Sequence, residues 1–495
     1  MKLFANFDNM KRTISLALLL LSAAFASAAQ DATVDKIIEL GKNDNRVMHH
    51  ADFLANRIGG RPVGSNALTD AERWVAGQFE SWGLEVMVQE VGRMAVGFNR
   101  GPAYGRMLSE DGMVLHFGTP AYTAGTHGAQ KGHVLIEPRT KAEFERMKGA
   151  LKGAWVLVDG DSNGFPLPHS AAADKRRAEK IAAGEFEPAL FYREMVKAGV
   201  LGFIQSAKVP LTILYDRECC NDITMDSLPE VCDIKLDAAQ YEIIKKKVLE
   251  YRDFQLEFDI RNHFSPGPIG YHNIIGMLKG SEFPDEYVML GGHLDAYDSG
   301  TGAVDDGNGT SVTMEAARLL AAAGARPRRT ILFCIWTGEE YGLLGSRYFV
   351  EHATVPLDRI SNYFNRDGGP LMATSVTVPP AMYDDFVKAC EPITDYNPDI
   401  PFTVNRREGE PGPRPEKAGG SDHAYFAMNG VPTISLRETD PKGYNFNYRE
   451  IWHTENDCYG KLIPEYLEHS ATVSAVIAYG LACMDSILSR DGLYK

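Results

Sequence analysis

Five short segments of this chain bring histidines and carboxylates to the ends of apolar runs. The first is Gly291-Gly292-His293-Leu294-Asp295, directly after the apolar run 287–290. A spacing of two puts His293 and Asp295 on the same side of an extended backbone, so the carboxylate can support the imidazole. The second is the glycine-rich loop 300–309, which carries Asp305 and Asp306 and opens a helix at Thr310. It lacks the lysine and the spacing of a phosphate-binding loop, and its carboxylates oppose phosphate, so a metal loop is favoured. The third is Trp336-Thr337-Gly338-Glu339-Glu340, where a buried strand ends in two adjacent glutamates. Their side chains diverge, so one can bind a metal while the other addresses a bound water. An acidic helix start explains their position but not their company. The fourth is Asn365-Arg366-Asp367-Gly368-Gly369, and the fifth is Trp452-His453-Thr454-Glu455-Asn456-Asp457. Together the segments offer two histidines and three candidate carboxylate ligands, with a spare glutamate beside one of them. A two-zinc hydrolase needs that inventory: a bridging carboxylate, one histidine and one terminal carboxylate per metal, and a general base. The remaining histidines form no rival cluster. His49 and His50 are expected on the surface of a helix, and His423 is expected to support the site or its loop.

The elements that must position these residues follow from the pattern after Pro266. Strand-like runs at 287–290, 330–336 and 360–364 alternate with helical stretches at 310–323 and 341–350, which predicts an α/β domain with a mostly parallel, mixed sheet flanked by helices. Ligands in such sheets gather at the carboxyl ends of the strands. Pro464 opens a last amphipathic helix with Leu467, Val473, Val476 and Leu481 as buried candidates. Residues 33–91 read as helices, one of them over 71–79, followed by a strand over 84–91. From about 98 to 264 the texture changes to short β-like runs, such as 152–159 and 202–205, with a helical piece at 192–198. That stretch predicts a separate β-rich insert. Residues 406–420, rich in Gly, Pro and charge, predict an exposed loop.

Composition limits the function classes. The chain has 495 residues and 44% apolar side chains, which is ordinary for a folded protein and argues against disorder. With 51 Lys and Arg against 66 Asp and Glu, the net charge is −15, which disfavours nucleic acid and anionic membrane surfaces. Lys11 and Arg12, the apolar run 14–25 and Ala26-Ser27-Ala28 have the order of a secretory signal peptide cleaved after Ala28. The run is short for a membrane span, so no membrane insertion is expected and the mature protein should be exported, to a periplasmic or extracellular location. Of the seven cysteines, Cys219, Cys220 and Cys232 are close enough in sequence for a local bridge, while Cys334 and Cys483 read as small buried hydrophobes.

At these residues the sequence resembles the co-catalytic zinc aminopeptidases of metallopeptidase family twenty-eight. The resemblance rests on Leu290 to Asp295, Gly302 to Gly307, Thr337 to Glu340, Asp367, Ser421-Asp422-His423 with Gly430-Val431-Pro432, and His453 to Asp457, in the family's order. Residues 273–320 look most like its plasma glutamate carboxypeptidase branch, and the insert looks like a protease-associated domain. After the signal peptide at 1–28, the resemblance implies a discontinuous catalytic domain at 29–97 and 265–495, with the insert at 98–264. It implies two Zn²⁺ per chain, one held by His293, Asp305 and Asp367 and the other by Asp305, Glu340 and His453. Asp295 would orient His293, and Glu339 would be the general base acting on a metal-bridging hydroxide. Arg366, beside a ligand, departs from the family pattern and is a candidate to pair with a carboxylate, of the protein or of a substrate. Tyr444 and Tyr448 are candidate oxyanion donors. The implied activity is an exported exopeptidase cleaving short peptides near a free N-terminus. A dipeptidase or carboxypeptidase is the nearest alternative. The apparently complete ligand set argues against a glutaminyl-cyclase-like acyltransferase and an inactive binding ectodomain. The partner implied is a peptide substrate, and the oligomeric state is left open, a homodimer included.

Overall fold

The structure, a computed structural model, describes residues 31–109, 112–215, 217 and 223–495. The expected signal peptide, Cys219 and Cys220 lie outside the described residues. The strands are β1 (Glu85–Asn99), β2 (Ala103–Leu108), β3 (Phe117–Gly118), β4 (Gln130–Ile136), β5 (Ala154–Asp161), β6 (Gly202–Ala207), β7 (Cys232–Asp237) and β8 (Gln255–Ile260), then β9 (His263–Leu278), β10 (Phe283–His293), β11 (Arg329–Trp336), β12 (Ile360–Asn365), β13 (Met372–Val378), β14 (Thr403–Arg406) and β15 (Leu436–Thr439). They form a five-stranded sheet in the order β1-β9-β11-β10-β12, a seven-stranded sheet in the order β2-β8-β4-β5-β6-β7-β3, and a three-stranded sheet in the order β14-β13-β15.

The five-stranded sheet is mixed, as the sequence predicts. β10 runs parallel to β11 on one side and to β12 on the other, while β9 is antiparallel to both β11 and β1. All of β11 is buried, which fits its unbroken apolar run Ile331 to Trp336 covered on both faces. Gly291 pairs with Cys334 and with Asn365, and His293 pairs with Trp336. That register brings the carboxyl ends of three neighbouring strands level. The candidate motifs begin at those ends.

Helices cover both faces. The helix Asn66–Ser81 is capped by Ser65, whose Oγ accepts from the Leu68 N–H at 3.0 Å, and it buries Leu68, Val75 and Phe79. The helix Gly307–Ala322 is buried almost throughout, because it lies between the sheet and the helix Pro464–Ala482. The latter buries Leu467, Val473, Val476 and Leu481, but it is not amphipathic in the expected sense: nearly every residue from Tyr466 to Ala482 is buried. A helix packed on all sides loses its polar stripe. The helix Tyr383–Cys390 supplies the extra cover.

β1 and β9 extend beyond the first sheet as an antiparallel ribbon whose last pair is Asn99 with His263. The chain therefore enters and leaves the seven-stranded sheet through neighbouring strands. That sheet has apolar clusters of its own, one around Trp155, Leu256 and Phe258 and another around Phe144, Phe191 and Phe203.

Three expectations need correction. Cys232 is a free thiol buried inside β7, so it is not available for the expected local bridge; burial pushes it up to about 12. Cys334 is buried as expected, whereas Cys483 is only half-buried at a helix end. His50 is not a surface residue: it is buried, with Nε2 3.0 Å from Glu315 Oε2, and Arg318 holds the same carboxylate at 2.8 Å. Residues 408–410 and 412–420 are exposed, as expected of that loop.

The junction of β10 with the helix Gly307–Ala322 leaves no room for side chains. A Cβ on Gly309 would sit 2.2 Å from the Arg366 carbonyl oxygen and 2.4 Å from Asp306 Oδ1. Gly309→Ala is therefore expected to destabilise the fold by about 1–3 kcal/mol or more, as overpacking does. Urea denaturation measures it, and an unchanged midpoint would show that this contact is soft.

Candidate metal centre

His293 is the last residue of β10, fully buried, and its backbone N–H donates to Asp306 Oδ2 at 3.1 Å. Its Nδ1 is 2.8 Å from the Asp295 carbonyl oxygen. A carbonyl only accepts, so Nδ1 carries the proton and Nε2 is the atom turned to the acids. Nε2 lies 3.2 Å from Asp305 Oδ1, 3.8 Å from Asp367 Oδ1 and 4.0 Å from Glu339 Oε2. On the other side of Asp305, His453 Nε2 lies 3.2 Å from Asp305 Oδ2 and 3.2 Å from Glu340 Oε2. Two triads result, His293 with Asp305 and Asp367, and Asp305 with Glu340 and His453. In each, one donor atom per residue lies within 4.8 Å of the others. Asp305 belongs to both.

The support of this cluster differs from expectation at Asp295. Its carboxylate is 3.8 Å from His293 Nδ1 and instead accepts the backbone N–H groups of Glu339 at 3.0 Å and Glu340 at 3.2 Å. Asp295 thus ties the end of β10 to the turn after β11. Asp306 caps the helix Gly307–Ala322 through the Gly309 N–H at 2.9 Å, and the Asp305–Asp306 peptide is cis. Asp457 accepts the N–H of Val304 at 2.6 Å and of Asp305 at 3.2 Å, which fixes the backbone that carries the shared carboxylate.

Sequence reasoning missed Arg61. Fully buried, it donates to the carbonyl oxygens of Leu294 at 2.5 Å, Gly59 at 2.7 Å, Gly302 at 2.9 Å and Thr301 at 3.1 Å, stitching the two loops that hold His293 and Asp305. Burial lowers it to about 10 while Asp457 and Asp295 work to hold its charge. Its sequence setting, Gly59-Gly60-Arg61-Pro62, reads as an ordinary turn.

Electrostatics tests whether the residues fit a metal. Burial, with the charges of Glu340, Asp422 and Asp367, pushes the Glu339 carboxyl up, and burial with Asp305 raises Glu340. Asp305 is buried too, yet the His293 and His453 rings hold it below the usual carboxylate range. Against its own burial, His453 is lifted to about 9 by Glu340 and Asp305. Asp305 Oδ2 and Glu340 Oε1 are buried and accept no hydrogen bond. So many acids with orphaned buried oxygens are costly for protein groups alone. A borderline-soft dication that takes imidazole and carboxylate ligands fits both triads.

Residues 273–478 match the profile of Peptidase family M28. This segment belongs to that family. The activity class that goes with it is hydrolysis by a metallopeptidase. Carboxypeptidase Q from Homo sapiens is 28% identical over 480 residues, covering 91% of this chain and 88% of that one. Among solved structures, a Peptidase M28 precursor from Shewanella amazonensis SB2B superposes with a TM-score of 0.58 at 19% identity, over 94% of this chain and 98% of that one. BSAP, a zinc aminopeptidase from Bacillus subtilis, gives a TM-score of 0.51 at 17% identity, over 91% and 97%. These likenesses extend the shared mixed α/β fold over most of the chain.

The other candidates in the M28 segment separate cleanly. Tyr448 is half-buried, and burial with the charges of Asp305, Asp367 and Asp306 pushes its phenol up, which favours the protonated form. Tyr444 is turned away: it is exposed and its Oη donates to Glu465. Arg366 is spent on structure, donating to Glu438, to Asn308 Oδ1 at 3.0 Å and to the Leu371 carbonyl at 2.9 Å, which takes it out of substrate binding. His423 starts the short helix His423–Met428, and its neighbour Asp422 is buried and accepts from Ser346 Oγ. Arg61 lies outside the M28 segment, yet Arg61→Met takes a donor from four carbonyl oxygens, of which, among the described residues, only that of Gly302 keeps another, the Gly307 N–H at 3.1 Å. A loss of about 3 kcal/mol or more is expected if each buried acceptor costs roughly 1–3 kcal/mol. Denaturant unfolding of the metal-free protein reads this directly; a loss near zero would mean that water replaces the guanidinium.

Proposed function

We propose that the protein is an exported two-zinc exopeptidase that removes residues from the free N-terminus of short peptides. The observation that carries this reading is the pair of triads sharing Asp305, with Glu339 beside them and outside both. His293, Asp305 and Asp367 would hold one ion, and Asp305, Glu340 and His453 the other. The dications supply Lewis acidity, lowering the pKa of water and drawing charge from the scissile carbonyl. The protein's own groups do the rest. Glu339, its N–H fixed by Asp295, takes the proton of the attacking water and returns it to the leaving amine. Tyr448, held in its protonated form, donates to the developing oxyanion. Residues 98–264 are assigned to a protease-associated-like insert and 29–97 with 265–495 to the catalytic domain, after a signal peptide at 1–28. Among the described residues no helix is long and apolar enough to cross a membrane. That is compatible with a periplasmic or extracellular location.

A carboxypeptidase or dipeptidase is the second reading, favoured by the similarity to Carboxypeptidase Q over most of the chain. Metal analysis combined with hydrolysis of free and N-acetylated dipeptides separates the two. About two zinc per chain and cleavage that requires the free amine are expected, and indifference to acetylation would sink the aminopeptidase reading. Glu339→Gln is expected to keep both metals and lose several orders of magnitude in kcat, since the base is removed and the ligands remain. Tyr448→Phe is expected to cost about 10²–10³ in kcat with little change in KM, the loss typical of one oxyanion donor. A wild-type rate in either variant would withdraw that residue's role.

A further inference from the structure

The two triads are held by different parts of the molecule. His293 ends a central strand, and Asp367 follows β12, the neighbouring strand in the same sheet. His453 sits on a loop in the left-handed region, φ 59°, a conformation that a non-glycine residue keeps only when its surroundings hold it. Part of that hold comes from connections of the seven-stranded sheet. Residue 212, in the segment after β6, bridges to Thr454 as an isolated antiparallel pair. The Glu455 N–H donates to the Leu211 carbonyl at 3.0 Å, and the Leu211 N–H donates back to Glu455 Oε1 at 2.9 Å. The second oxygen of Glu455 is 2.7 Å from Nε2 of His116, which lies just before β3.

An aromatic chain runs alongside. Tyr215, from the same segment as Leu211, is 1% exposed, with its ring 4.1 Å from that of Tyr341 and 4.5 Å from that of Tyr297. Tyr297 meets the His453 ring edge-on at 4.5 Å, and Trp452 stacks on it at 3.9 Å. The imidazole is thus wedged by a ring that Tyr215 supports from the connection between β6 and β7.

We infer that the connections of the seven-stranded sheet, through Tyr215 and the clasp of Leu211, Thr212 and His116 on Glu455, set the affinity of the Asp305–Glu340–His453 pocket selectively. Tyr215 and Glu455 act here as positioning residues, through Tyr297 and the His453 loop. This rests on the two-metal reading above. Groups that orient a metal ligand from behind typically change affinity about 10–100-fold when removed.

The test uses the full chain, stripped with a chelator and titrated with Zn²⁺ by calorimetry and with Co²⁺ by its visible spectrum. The wild type is expected to bind two ions with separable affinities. Tyr215→Ala and Glu455→Ala should each weaken one of them at least about tenfold and leave the other unchanged. Tyr215→Phe, which keeps the ring contacts, should retain wild-type affinities. In a His453→Ala background, whose remaining pocket is His293–Asp305–Asp367, Tyr215→Ala should change nothing further. Thermal unfolding of the metal-free variants checks that they are folded. Should Tyr215→Ala fail to fold, Glu455→Ala, a partly exposed position, carries the test. Two wild-type sites that stay unchanged, or weaken equally, in these variants would overturn the inference and leave the two-metal reading standing. A wild type that binds fewer than two ions would overturn both.

Discussion

Concentrating buried negative charge around Asp305 is the constraint to which the loops at the ends of β10, β11 and β12 respond. Carboxylates taken out of water need compensating positive charge or donors. The protein supplies donors to the acids that are not turned inward: Asp295 takes two backbone N–H groups, Asp306 takes those of His293 and Gly309, and Asp457 takes those of Val304 and Asp305. Arg61 then anchors the carbonyl side of the same loops. What is left without a hydrogen bond is one buried oxygen on Asp305 and one on Glu340. The arrangement separates acids that build the loop from acids that are free to bind.

Much of this was legible in the sequence because strand ends in a parallel sheet converge. Once β10, β11 and β12 are recognised as apolar runs followed by Gly-Gly-His, Gly-Glu-Glu and Arg-Asp, their adjacency follows from the α/β alternation. The register His293 with Trp336 then brings the acids together. What could not be read were contacts made by backbone atoms and by distant segments. Asp295 was expected to serve His293 by side-chain spacing, but a carbonyl does that work, and no spacing rule distinguishes the two. Arg61 and His50 are charged or polar residues buried against partners more than 200 positions away, so local pattern assigns them to turn and surface. Arg366 does pair with a carboxylate, but its partner, Glu438, is 72 positions away and has no signal in the local pattern.

The same limit applies to the seven-stranded sheet. Its β-rich texture is evident from Gly and Pro punctuation and short apolar runs, whereas its reach to His453 is not. Leu211, Thr212 and Tyr215 have no motif of their own. Their meaning comes from the loop they touch, which only the fold brings near. The parts of a site built on regular strands are therefore readable from sequence, and those built where two sheets meet are not.

The ribbon of β1 and β9 has a consequence for how such a chain can change over time. Asn99 and His263 are paired neighbours, so the whole stretch between them hangs from one point and could be exchanged for a tight hairpin turn without moving a strand of the five-stranded sheet. Recombination at that point would spare β10, β11 and β12 and the His293 side of the centre, and would replace the contacts that Leu211, Thr212 and His116 make with the His453 loop while Tyr297 and Trp452 stay. Ancestry can thus vary what backs one half of the centre as a cassette while the ligands themselves stay under the discipline of the sheet.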